Sequence, residues 1–491
     1  MAKQYVSDII GDEYKEWKKG DIILIKSPTG TGKSEFIKSR LIKWCKTNKK
    51  SMLLLSNRDM LKQQQKHDTY SDIRNGFFHN IQLSLYQSPK EEITNYDYVV
   101  CDECHYFFED SSFNRETDII YKKVKDYPEG IVILLSATPD IIEGRLKGKI
   151  SFIYDLVSDV NNYSLYKYTE KESVREIIRM IREEHPDEKI MFFSSTEEAH
   201  NLSIMFNDSA FICSKYNKNY SKFIDEAERK RIESQNHFNC NLLCTTTALD
   251  NGINIKDKQV KHIILDVFTP TSTVQCFGRK RLEENEQISI YLRDYKSNNI
   301  RARKNKLFSE YEIYKDYRYL THEEFAQKHH KFPSQRILDL CYDSNQGFYF
   351  EVNECIKDWD EYIIGFYSSC LIDSDYYFRR ICEHLRIDER KAINIDKEIK
   401  QSNLELVLNK WMGEKIFKEE QVKFIEEIKS ISGIGLKSLG RKTINGLIEQ
   451  NKLPYIIIST PEGGRQSGKR GKHYWSIVID ESGSKNIEQL Y

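Results

Sequence analysis

A chain of 491 residues with 39% hydrophobic and 12% aromatic side chains can build about three packed domains. Its 75 basic and 75 acidic residues cancel, so no global field gathers polyanions, and any nucleic-acid affinity must be local. No run approaches the ~18 apolar residues of a membrane span, no apolar signal core opens the chain, and the eleven cysteines lack framework spacing. A reducing cytoplasm is the expected location.

In chain order, Ile22–Ile25, Ser51–Leu55, Tyr98–Cys101 and Ile131–Leu135 are short apolar runs separated by helical patterns, which predicts a parallel α/β sheet over residues 1–155. Between the first run and the helical segment from Glu35 lies Ser27-Pro28-Thr29-Gly30-Thr31-Gly32-Lys33-Ser34. A glycine-rich turn there brings backbone N–H groups onto phosphate oxygens at a helix start. Lys33 would reach the β- and γ-phosphates, and the Ser34 hydroxyl would ligate Mg²⁺. The loop departs from G-x-x-x-x-G-K-[ST] at Ser27, which replaces the first glycine. Gln4, upstream of it, is expected to be a surface residue rather than an adenine reader.

About seventy residues on, Val99-Val100-Cys101-Asp102-Glu103-Cys104-His105 sets two carboxylates at the end of a buried strand. Asp102 is the natural second partner of Mg²⁺, and Glu103 is placed to orient and deprotonate water attacking the γ-phosphate. Cys101 and Cys104 have no second pair at zinc-site spacing.

A second alternation, with strands at Ile190–Phe193, Ala210–Ile212, Asn241–Cys244 and Ile263–Leu265, predicts another α/β domain over 156–295. Residues 296–425 are charged, Tyr-rich and at helical spacing, and read as an all-helical accessory domain. Residues 426–491 read as a helix at Gly440–Asn451 and a hairpin with a basic tip, the pattern of a winged helix. Between Lys429 and Trp475 stand nine Lys or Arg against two acids. Lys437, Arg441, Lys442 and Asn445 would face DNA, with Arg465, Lys469, Arg470 and Lys472 on the wing.

Together these motifs resemble a superfamily 2 helicase of the DEAD/DEAH-like kind over residues 20–295. Ser27–Ser34 resembles motif I, where the family commonly has Ala or Ser first. Ser56-Asn57-Arg58 resembles motif Ia and Gln87 lies in a segment like motif Ib, both of which touch the nucleic-acid backbone in the family. Asp102-Glu103-Cys104-His105 resembles the DEAH box, with His105 expected to couple the nucleotide to the strand. Ser136-Ala137-Thr138 resembles motif III, and Ser194 lies in a likeness of motif IV. Thr246-Thr247 through Gly252-Ile253-Asn254 resembles motif V, and Gln275 through Arg281 resembles motif VI. The resemblance implies two RecA-like domains, ATP with Mg²⁺, and nucleic-acid contacts at Ser56, Asn57, Arg58, Gln87, Ser194, Thr246 and Thr247.

Two departures stand out. Motif VI usually places its last arginine where Leu282 stands, and Arg281 comes one position early. On a helix one position turns a side chain by about 100°, which leaves Arg279, Arg281 or both as the arginine finger. Asn254 stands where many relatives carry a ribose-binding Asp. The expected activity is an ATP-dependent helicase or translocase on nucleic acid, DNA ahead of RNA. The alternatives are a site-specific DNA-binding or replication-initiation factor using ATP as a switch, or the motor subunit of a defence or restriction assembly.

Overall fold

Five consecutive residues, Ile22–Lys26, form β1, and the first four are buried on both faces, as a central parallel strand requires. A computed structural model describes residues 4–56, 81–85, 93–112, 114–156, 162–247, 254–283, 286–329, 337–345, 347–373, 376–432, 439–463 and 471–480. With β2 (Met52–Ser56), β3 (Ile81–Leu85), β4 (Tyr98–Asp102), β5 (Ile131–Ser136) and β6 (Phe152–Asp155), β1 builds a six-stranded sheet ordered β3-β2-β4-β5-β1-β6. The pairs are parallel, with Lys26 opposite Ser136 and Asp102 opposite Leu135. The carboxyl ends of β1, β4 and β5 therefore share one edge. Alternate residues serve opposite cores: Ile23, Ile25 and Val100 pack with Val6, Ile10 and Phe36, whereas Leu24, Val99 and Leu134 pack with Phe107, Phe108 and Tyr121.

The second sheet contains β7 (Tyr163–Tyr168), β8 (Lys189–Phe193), β9 (Ser209–Ile212), β10 (Leu242–Thr245), β11 (Val260–Leu265) and β12 (Ile288–Arg293). Its order is Ala392–Asn394, then β7-β12-β11-β8-β10-β9, and β8 to β12 pair in parallel. Two tandem parallel α/β sheets are thus present, as the alternating pattern predicts.

Residues 296–392 correct the all-helical expectation. Between the helices Ser297–Tyr319 and Glu354–Cys370 lies an antiparallel hairpin, Leu338–Asp343 with Gly347–Val352. Apolar residues alternate along both arms of the sequence, and Gly347 supplies a turn φ of +77° that other residues rarely adopt. This region braces both sheets. Asp118 accepts from Cys355 N at 3.0 Å, Lys122 and Lys125 pair with Glu351 and Glu354, and Tyr377 donates to Phe268 O at 3.1 Å.

The chain divides into two units, Met1–Tyr166 with Arg182–Ala392, and Lys167–Ile181 with Ile393–Tyr491. In the second, helices Ile395–Trp411, Lys418–Ser432 and Arg441–Gln450 precede the hairpin Tyr455–Pro461 with His473–Ile479, and Ile416 makes an antiparallel bridge to Trp475. A separate core of Leu408, Ile416, Phe424, Ile444, Ile457 and Ile477 holds it. Asp396 accepts from Thr169 N and Ser173 Oγ, which ties in the preceding segment. Phe424 is fully buried, so Phe424→Ala should cost about 3–5 kcal/mol in this unit. Amide-exchange protection should fall in Lys418–Ser432 and Arg441–Gln450 while β1 and β5 stay protected.

Candidate active site

The chain leaves β1 through a loop that only glycine can complete at two places, Gly30 (φ +81°) and Gly32 (φ +85°), and enters a helix at Lys33. Ser27 is no passive replacement for glycine. Its N–H donates to Ser136 O on β5 at 3.0 Å. Thr31 Oγ1 donates to Pro28 O at 2.7 Å, so the Ser27 hydroxyl, 2.5 Å from Thr31 Oγ1, donates to it. Val6 N donates to Thr31 O at 3.0 Å and supports the loop from beneath, while Gln4 is exposed.

Lys33 is buried and reaches two oxygens, Ser27 O at 3.1 Å and Glu103 Oε1 at 3.0 Å. Glu103 follows β4 in the left-handed region (φ +54°), a strained conformation for glutamate. Burial, then the charge of Glu103, pushes Asp102 up to about 7. Burial also raises Glu103, but Lys33, His105 and Arg279 outweigh it and hold that carboxyl down to about 2. The cations around Glu103 favour its charged form, whereas burial disfavours that of Asp102.

His105 is fully buried, and burial holds it down to about 4, so the ring is neutral. Ser136 Oγ accepts from Thr138 N at 3.0 Å and shares a hydrogen bond with His105 Nδ1, also at 3.0 Å. His105 Nε2 stands 3.8 Å from Glu109 Oε2. Glu109 Oε1 in turn accepts from Ser272 Oγ of the second lobe at 3.3 Å.

From that lobe, the helix Pro270–Phe277, N-capped by Thr269, ends at Gly278. Arg279 N turns back to Cys276 O at 3.2 Å, and Lys280 then makes a parallel bridge with Ile255: Ile255 N donates to Arg279 O at 2.7 Å, and Arg281 N to Ile255 O at 2.8 Å. This corrects the helical argument made from sequence. Arg279 and Arg281 both lie close enough to act on Glu103, whereas Lys280 turns to Glu286 at 2.7 Å. Arg279 is held by the Gln275 side chain at 2.8 Å and its carbonyl at 3.1 Å. Arg281 Nε donates to Asn254 Oδ1 at 2.7 Å. Both guanidinium groups act electrostatically on Glu103.

Four polar atoms, Glu103 Oε2, Thr138 Oγ1, Gln275 Nε2 and Arg281 Nη1, are buried and make no hydrogen bond among the described residues. They come from both lobes. The amide and guanidinium N–H donors suit an anion, and a charged acceptor at Glu103 suits a water, so the residues fit a triphosphate undergoing attack. Among the described residues no three His, Cys, Asp or Glu side chains form a protein metal cage. Mg²⁺ commonly uses one or two protein groups plus phosphates, and exposed Ser34 and buried Asp102 match that need.

Of the expected strand contacts, Ser56 ends β2, and Thr246 and Thr247 follow β10. Ser194 is buried and donates to Asp266 at 3.3 Å, which leaves its backbone rather than its hydroxyl at the sheet edge. Asp266 is further held by Arg293 and Tyr295. Asn57, Arg58, Gln87, Gly252, Lys437, Arg465, Lys469 and Arg470 lie outside the described residues. Lys442 and Lys472 are exposed and Arg441 half-buried. Asn445 spends both amide groups on Ile457, donating to its carbonyl at 3.0 Å and accepting from its N–H at 2.9 Å, so it is not presented to a base. Sequence reasoning missed the contacts Glu109–Ser272, whose residues carry no motif, and Thr29–Gly278, which joins motif I to motif VI.

The family model described as "Type III restriction enzyme, res subunit" matches residues 2–141, and "Helicase conserved C-terminal domain" matches residues 171–281. The chain belongs to the superfamily 2 helicases. It is accordingly an ATP-using helicase-type enzyme. No curated protein matches it. Among solved structures it is similar to S. cerevisiae Dbp5 bound to RNA and ADP BeF3, at 13% identity and TM-score 0.41, covering 55% of this chain and 79% of that one. A point variant of Dbp5 in the same complex gives 12% identity with the same coverage and score.

In this helicase the lobes meet tightly at Gly278, where an added Cβ would lie 2.5 Å from Thr29 Oγ1 and 3.1 Å from Thr29 Cβ. Gly278→Ala should push the arginine segment off the phosphate loop and lower kcat for ATP on the order of 10–100-fold. Steady-state kinetics with a melting curve would check this, the melting temperature staying near that of the parent.

Proposed function

We propose that this helicase is a nucleic-acid-stimulated, Mg²⁺-dependent ATPase that moves along or unwinds DNA, with RNA the lesser substrate. The observation that carries the reading is the convergence of Lys33 and Glu103 from the first lobe with Gln275, Arg279 and Arg281 from the second. No one lobe supplies both the base and the guanidinium donors, so turnover requires the lobes to be held together.

In this reading the backbone N–H groups from Thr29 onward wrap the phosphates, Gly252 and Asn254 would contribute to the nucleotide site from the second lobe, and Lys33 exchanges Glu103 for phosphate oxygens. Glu103, released from the lysine, orients a water and takes its proton. Ser34 and Asp102 would hold Mg²⁺, which when bound would supply positive charge against that of the phosphates. Arg279 and Arg281 offset the charge that develops on the transferring group. The neutral His105, Ser136 and Thr138 link the base to the strand-facing edge, where Ser56, Asn57, Arg58, Gln87, Thr246 and Thr247 would hold backbone phosphates.

The second unit supports DNA over RNA. Three helices, a bridging Ile416 and an antiparallel hairpin follow the order of a winged helix, and Arg441, Lys442 and Lys472 give it basic side chains beside Lys437, Arg465, Lys469 and Arg470. The res-subunit match over 2–141 favours one further reading, the motor subunit of a restriction-type assembly, in which cutting would fall to a partner.

The test is steady-state ATP hydrolysis with single-stranded DNA, duplex DNA or RNA. DNA should raise turnover more than RNA, Lys33→Ala should abolish it, and Glu103→Gln should lower kcat about 10²–10⁴-fold while ATP still binds. Absence of turnover with every nucleic acid would overturn the proposal.

A further inference from the structure

Asn254 and Arg281 are the two places where this chain leaves its family's pattern, and the structure brings them into contact. Leu282, at the position where the family carries its last arginine, packs against the hydrophobic core and could not present a charge there without losing that packing. Arg281 turns to Asn254 while Leu282 packs on the core, so the two neighbouring side chains go to different surroundings. Arg279 is committed to Gln275 through both Nε and Nη2. Arg281 is held only at Nε, by Asn254 Oδ1 at 2.7 Å, and its buried Nη1 makes no hydrogen bond among the described residues.

We propose that Arg281 is the finger of this motor and that Asn254 is its positioning residue, in place of a ribose contact. This rests on the ATPase reading above. An amide oxygen is suited to the task. It fixes the guanidinium at one edge through a neutral acceptor and leaves the full positive charge for phosphate. A carboxylate would hold the arginine equally well but would neutralise part of that charge. The chain-specific pair thus restores a guanidinium one residue early, with the acceptor moved to meet it.

The experiment is a kinetic cycle on the full chain with ATP and saturating DNA. Asn254→Ala should lower kcat about 10- to 100-fold with KM for ATP unchanged. Arg281→Ala should lower it further, and the double variant should match Arg281→Ala alone. In an Arg279→Ala background the Asn254→Ala loss should persist. Asn254→Asp, which keeps the acceptor, should recover part of kcat without lowering KM. A raised KM at constant kcat in Asn254→Ala, a lowered KM in Asn254→Asp, or losses that multiply with Arg281→Ala would each overturn the proposal in favour of a ribose contact. Should Asn254→Ala melt early, the Asn254→Asp kinetics decide alone. If the parent chain turns over ATP and Lys33→Ala does not, any of these failures falls on the Asn254–Arg281 assignment and leaves the ATPase reading standing.

Discussion

The ion pair between Lys33 and Glu103 governs the site. It joins the loop after β1 to the end of β4 across the intervening β5, with Lys33 buried and Glu103 half-buried. Such a pair recovers its desolvation cost only when the remaining polar atoms are met. Lys33 has Ser27 O as a second acceptor, whereas Glu103 Oε2 has no hydrogen bond among the described residues. The carboxylate is kept ionised by its cationic neighbours and kept in place by the lysine. A γ-phosphate that drew Lys33 away would leave Glu103 charged and in need of a donor, which a water can be. One contact would then hold the base back and release it as substrate seats.

Around that pair the second lobe is fitted closely. Gly278 leaves no room for a side chain against Thr29, and Ser272 donates to Glu109, which stands near His105. The region Glu354–Leu385 adds a brace. Arg145 pairs with Asp358 and Glu361, and His384 with Asp140, on the first lobe, while Tyr377 bonds Phe268 on the second. Any opening of the lobes must therefore be accommodated by these contacts as well as by the phosphate loop.

The motifs at strand ends were legible in the sequence because local geometry dictates them: a buried strand, a glycine turn and a helix start fix where Lys33 stands, whatever else the chain does. The same holds for Asp102 and Glu103 after β4. The arginines were not legible. The helix of motif VI ends at Gly278, close against Thr29 of the other lobe, and the bridge at Lys280 depends on a partner, Ile255, outside the motif. The hairpin Leu338–Asp343 with Gly347–Val352 was hidden for a related reason, since charged, Tyr-rich surroundings at helical spacing masked its period of two.

The orientation of Asn445 bears on what the second unit can recognise. An amide facing outward from the helix Arg441–Gln450 could have paired bidentately with adenine, which is a base-reading contact. Tied instead to both backbone groups of Ile457, it fixes the helix to the hairpin and offers nothing to a base edge. Arg441, Lys442 and Lys472 are half-buried or exposed cations of this unit, and cations of this kind bind phosphates without regard to sequence. With Asn445 turned inward, the helix loses the one amide that sequence spacing offered to adenine, and what these cations could add is contact with a backbone rather than with a base.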